Sequence, residues 1–110
     1  MNKVDNFEID WLYFEDSVLI RVLKLEGGKV LFSANDVCLN ALGVVSSHNL
    51  TKGVDDRSKT SAVVTFVEDY NPQRYVFLDM YGLMDVVYRA RKSDVNRLDF
   101  IKWAEKQGAR

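Results

Sequence analysis

At 110 residues and 47% hydrophobic, with two Trp, five Tyr and six Phe, the chain has apolar mass for one small, aromatic-rich core. A net charge of −1 excludes nucleic-acid binding by bulk charge, and the lone cysteine, Cys38, excludes an internal disulfide and fits a reducing compartment. No apolar run nears the roughly 18 residues of a membrane span, and the acidic stretch from Met1 to Asp10 lacks the basic-then-apolar order of a secretory leader, so a soluble cytoplasmic protein with no membrane partner is expected.

Residues 1–6 read as a loose polar start. Phe7, Ile9, Trp11 and Tyr13 alternate with Glu8, Asp10 and Leu12, which predicts a half-buried strand. A helical turn through Ile9, Leu12 and Tyr13 is the alternative. Residues 1–13 are accordingly set apart as an N-terminal arm or edge strand, ahead of a domain over 14–110. Glu15-Asp16-Ser17 reads as a turn. Val18–Leu25 is the clearest strand, and Gly27-Gly28 predicts a two-residue hairpin to a partner at Lys29–Phe32. Ser33 is placed to cap a helix, with Asp36 in the capping-box position and Phe32 and Val37 as a hydrophobic staple; Gly43 supplies the left-handed stop.

Beyond Gly43, Ser46 or Ser47 can cap one short helical turn, and Gly53–Thr60 is polar and turn-like. Ala62–Val67 and Arg74–Leu78 predict a second hairpin around the single proline, Pro72. Asp79 then repeats the role of Ser33, with Leu78 and Leu83 as staple, and Leu83, Val86, Val87 and Ala90 form a buried helical face. Ser93 or Asp94 is expected to cap a last helix, to about Lys106, burying Val95, Leu98, Ile101 and Ala104, with Phe100 and Trp103 widening that face. Hairpins followed by helices make an α+β domain with about three main helices.

Taken in order, these residues resemble the BRO-family N-terminal domain of phage antirepressor-type proteins and large DNA viruses. The resemblance rests on Phe14, Glu15 and Arg21; on Phe32, Ala34, Asp36, Val37, Leu42 and Gly43; on Val54, Asp55 and Asp56; on Phe77, Leu78, Asp79, Gly82 and Leu83; on Ala90, Arg91 and Lys92; and on Phe100 and Trp103. It spans Phe14 to Trp103. No single piece is specific; the ordered set is. The Leu-Pro segment that usually follows the Trp in that family does not occur. The resemblance implies a viral or prophage regulator in the cytoplasm of a bacterial host, DNA-binding and of antirepressor type.

The residue inventory itself points away from an enzyme. His48 and Cys38 would have to meet in space to form a nucleophilic pair, and Cys38, beside Val37, reads more simply as a small buried hydrophobe. Ligands are too few for a zinc site, and no cofactor is expected. Charge is polarised along the chain. From Arg89 onward there are seven cations against three carboxylates, a balance of +4; in the first twenty residues Lys3 stands against five carboxylates, a balance of −4. Sequence-independent contacts to double-stranded DNA phosphates are therefore expected from Arg89, Arg91, Lys92 and Arg97, with Lys52 nearby. Ser47, His48 and Asn49 are candidates for base or partner contact; a plain surface loop is the simpler reading of that stretch. Among the aromatics, Tyr70 and Tyr81 are the expected exposed exceptions to core periodicity. The alternative to DNA binding is a module that binds and inhibits a regulator protein. The N-terminal aromatic strand, if it lies at an edge, offers pairing with a second copy or a partner protein; the favoured alternative is that it covers one side of the core.

Overall fold

A computed structural model describes residues 2–4 and 6–108. It is an α+β domain built on one six-stranded sheet. The strands are β1 (Asn2–Lys3), β2 (Phe7–Phe14), β3 (Val18–Leu25), β4 (Val30–Ser33), β5 (Lys59–Val64) and β6 (Gln73–Leu78), in the spatial order β1-β5-β6-β4-β3-β2. The β1–β5 pairing is parallel; every other neighbour is antiparallel. Four helices accompany it: α1 (Ala34–Asp36), continued by a π-helical turn over Val37–Ala41, α2 (His48–Lys52), α3 (Met80–Arg89) and α4 (Arg97–Gly108).

Chain length dictates the shape of the sheet. Its two marginal strands, β1 and β2, are separated by the steps from Lys3 to Phe7, which reach at most about 15 Å. Six strands laid flat would hold their margins about 24 Å apart. The sheet must therefore curl. Its helix-facing side carries Phe14, Ile20, Val22, Phe32 and Leu78 against Val37, Leu83, Val86, Val87, Phe100 and Ile101. The other side encloses a second cluster: Leu23, Leu31, Ala62, Val64, Phe66 and Phe77, rimmed by Val4, Phe7, Ile9, Trp11, Leu25 and Tyr75. Burial on both sides explains why β3 reads as a near-continuous apolar run.

Local punctuation holds at several positions. The Ser33 hydroxyl accepts the Asp36 N–H, and the Asp79 carboxylate accepts the Gly82 N–H. Gly43 has φ +71°, and the Val44 N–H reaches back to the Cys38 carbonyl, one residue further than the six-to-one bond of a Schellman cap, because the turn it closes is π-helical.

Other expectations are corrected. The Asp36 carboxylate does not complete a capping box; it bonds Arg21. The β3–β4 connection is a three-residue turn, Glu26–Gly28, closed by the Leu25 N–H on the Lys29 carbonyl, with both glycines at positive φ. The second hairpin starts at Lys59 and leaves the strand at Val64, so Val67 lies exposed in the loop. Ser47 stands at the α2 N-cap position, but its hydroxyl donates to Asn35. Asn96, not Ser93 or Asp94, caps α4: its side chain accepts the Asp99 N–H, while Ser93 bonds Val95. Leu98 is consequently exposed, and Tyr88 joins Tyr70 and Tyr81 as an exposed aromatic. The expected N-terminal edge strand does form: β2 lies at one margin of the sheet and pairs with β3 along its whole length, through Phe14.

Candidate interaction groove

α2 has five residues, too few to persist unaided, so its position depends on what grips it. The grip is Arg89, the last residue of α3. Its Nη2 donates to the Leu50 carbonyl at 2.6 Å and its Nε donates to Asp85 Oδ1 at 2.9 Å. The guanidinium approaches so closely because residue 53 is glycine: a Cβ there would lie 2.7 Å from Nη1. From the far side, the buried Lys59 ammonium donates to the Thr51 carbonyl and pairs with Asp56, each at 3.4 Å.

The second wall is set by Gly43. The loop after α3 lies against it: the Asp94 N–H donates to the Ala41 carbonyl at 3.2 Å, and the Asp94 carboxylate occupies the space a side chain at Gly43 would need. Between these supports runs an open groove of about 390 Å³, with Val44, Val45 and Leu50 on one side and Arg89–Lys92 on the other. Val44 and Leu50 are half-buried; Val45 is 95% exposed.

Of the five cations expected at a DNA surface, Arg89, Arg91 and Lys92 line this groove, and Lys52 sits beside it between Leu50 and Gly53. Arg97 does not join them. Its Nη2 donates to the Ala90 carbonyl at 2.8 Å, which pins the α3–α4 connection, and its Nε is buried without a partner. Arg89 is engaged as described. Lys92 makes a loose 3.9 Å pair with Asp94. Arg91 and Lys52 are exposed and have no acidic partner among the described residues. Outside the groove lining, Asp55 bonds Arg57, whose guanidinium holds its carboxyl down at about 2. Two of the three groove-lining cations, Arg89 and Lys92, thus have a carboxylate close by. His48 and Asn49 are exposed on α2, and Ser47 is tied to Asn35.

Cys38 is fully buried, and burial pushes its thiol up to about 11 against smaller opposing pulls from Thr51 and Arg89. Such a thiol is a poor nucleophile at neutral pH, whereas His48 is exposed on α2. Among the described residues, no three His, Cys, Asp or Glu side chains gather as metal ligands would.

The most heavily bonded polar centre lies elsewhere, where Arg21 of β3 meets Asp36 of α1 beside the second cluster. Arg21 grips Asp36 and also donates to Glu68 (2.9 Å) and to the Tyr75 hydroxyl (3.1 Å), with its guanidinium stacked near the rings of Phe66 and Tyr75. Tyr75 in turn reaches Asp69, whose carboxylate accepts the Phe66 N–H. The network clamps the loop after β5 onto β3. Sequence reading picked out both Arg21 and Asp36 without joining them. The available signal was a single arginine inside an apolar strand that is buried on both sides, which requires an anionic partner.

Searches against protein-family models, curated proteins and solved structures found no match for this chain.

Proposed function

We propose that this chain is a viral or prophage regulatory module of the antirepressor type, and that it works by binding another regulator protein at the groove between α2 and the end of α3. The make-up of that groove carries the reading. Its floor is apolar, with Val45 almost wholly in solvent, and its rim is cationic at Arg91 and Lys92. A DNA backbone calls for a run of unopposed cations; here Asp85 holds Arg89, and Asp94 stands 3.9 Å from Lys92. A protein partner has a use for both the valine and the partly paired charge.

The regulatory class comes from the resemblance to the BRO-family N-terminal domain. It is supported by where the residues behind that resemblance sit. Phe14 packs edge-on against Phe100 at 5.4 Å and Trp103 at 5.7 Å, Phe32 meets Trp103 at 6.4 Å, and Phe32 is registered with Leu78. Residues scattered along the chain thus form one packed unit.

One observation favours DNA as a second reading: Lys52 and Arg91 flank the groove with no acidic partner among the described residues. A photo-crosslinking residue at position 45, in host cells, separates the two. The expected result is a crosslinked protein that disappears with Arg91→Glu. If no protein crosslinks, and the purified chain binds duplex DNA in a salt-sensitive way that the double substitution Arg91→Ala, Lys92→Ala abolishes, the DNA reading replaces it.

A further inference from the structure

β2 lies at one margin of the sheet and pairs with β3 over all eight residues without a bulge. Two side-chain bonds fix which backbone groups face outward. The Trp11 N–H donates to Asp10 Oδ1 at 2.8 Å, and the Arg21 N–H, directly across, donates to Asp36 Oδ2 at 2.8 Å. Trp11 and Arg21 are therefore a non-hydrogen-bonded pair. By alternation, so are Ile9–Leu23 and Tyr13–Leu19. The N–H and C=O groups of Ile9, Trp11 and Tyr13 thus line the open edge, the kind of row that another strand can join.

The middle of this row is already occupied. Asp10 accepts the Trp11 N–H with one oxygen and holds the Lys24 ammonium with the other at 2.8 Å. The bond from Lys24 keeps the Asp10 carboxyl below its ordinary value, so the acceptor is ionised at neutral pH.

We propose that the β2 edge is a docking strand for a second copy of this chain, and that Asp10, anchored by Lys24, latches it shut. Charge selects the register of the pairing. An antiparallel pair centred on Asp10 sets that carboxylate against its own image, and one centred on Ile9 sets Glu8 against Asp10; both are repulsive. Centred on Trp11, the tryptophan faces its image, Ile9 faces Tyr13 and Asp10 faces Leu12, so no two carboxylates oppose each other. Each outward N–H of Ile9, Trp11 and Tyr13 then finds a carbonyl of the other copy. Tyr13, 56% exposed, and the half-buried Ile9 cover one another.

The test is sedimentation velocity over a concentration series on the wild type, Asp10→Ala and Lys24→Ala, together with amide exchange on the wild type. In the wild type, the Trp11 amide is expected to exchange more slowly than those of Ile9 and Tyr13. Asp10→Ala frees one edge donor per copy and should dimerise about tenfold or more tightly than wild type, with Lys24→Ala in between. If Asp10→Ala fails to fold by circular dichroism, Lys24→Ala decides: tighter dimerisation supports the latch and an unchanged monomer overturns it. A folded Asp10→Ala that stays as monomeric as wild type, or a Trp11 amide that exchanges as fast as its two neighbours, overturns the proposal.

Discussion

Arg21 and Asp36 meet in a two-pronged ion pair, Nε to Oδ2 and Nη2 to Oδ1, each at 2.8 Å, and the Arg21 backbone N–H donates to Oδ2 as well. The Asp36 side chain is 4% exposed. Removing the arginine therefore strands a buried carboxylate. Arg21→Ala should lower unfolding stability by about 3–5 kcal/mol, read from urea midpoints. Arg21→Lys keeps the charge but not the fork and should recover part of that loss. A stability change within about 0.5 kcal/mol for Arg21→Ala would show that the pair is idle.

Alkali should destabilise the protein through two groups. Burial lifts the Cys38 thiol from 9.0 to about 11, and burial together with the Asp69 hydrogen bond lifts the Tyr75 phenol from 10.0 to about 12. Both groups hold their protons more tightly when folded. Their contribution is complete below the unfolded values and is lost as pH rises through the folded ones. Melting temperature should therefore fall progressively between pH 9 and pH 12. Cys38→Ala should flatten the first part of that decline and Tyr75→Phe the second, while below pH 8 the Cys38 thiol should resist a disulfide reagent until the chain unfolds.

The β2–β3 turn holds two non-glycine residues in the left-handed region, Glu15 at φ 52° and Asp16 at φ 63°. Aspartate tolerates that conformation better than glutamate, because its short side chain bonds locally. Glu15→Gly should accordingly stabilise by about 1 kcal/mol, and Asp16→Gly by less. Thermal melts of the two variants check the order; equal or reversed gains would refute it.

Gly53→Ala tests the grip on α2. The new methyl must push the Arg89 guanidinium off the Leu50 carbonyl. Stability should fall by only about 1 kcal/mol, since one net hydrogen bond is lost. Amides of His48–Lys52, however, should exchange faster, because one of the two polar holds on so short a helix is lost and only the Lys59 contact with Thr51 remains.

What the sequence made readable is chiefly what is local. Ser33, Gly43 and Asp79 act on backbone groups within a few residues, so their roles follow from spacing. The face of α3 at Leu83, Val86 and Val87 followed from periodicity in the same way. Side chains with distant partners did not. Arg89 and Arg97 looked like free surface charge at the end of one helix and the start of the next, yet Arg89 reaches Leu50 and Arg97 turns onto Ala90. Asp36 fitted a capping box by position, but Arg21 competes for its carboxylate with charge and fork geometry that an uncharged backbone N–H cannot match. Nothing in the N-terminal residues announced that Asn2 pairs with Thr60. The groove beside Val45 was equally hidden, because its two walls belong to separate parts of the chain.

The curl of the sheet bears on the order in which the chain can fold. The β2–β3 and β5–β6 hairpins close between near neighbours and can form on the microsecond scale typical of hairpins. Asn2 and Thr60 are more than half the chain apart, and their short parallel ladder repays little of the loop-closure entropy. The seam where β1 meets β5 is thus the last to form and the first to fray. Under mild denaturant, the amides of Thr60 and Ser61 should lose protection before those of β3.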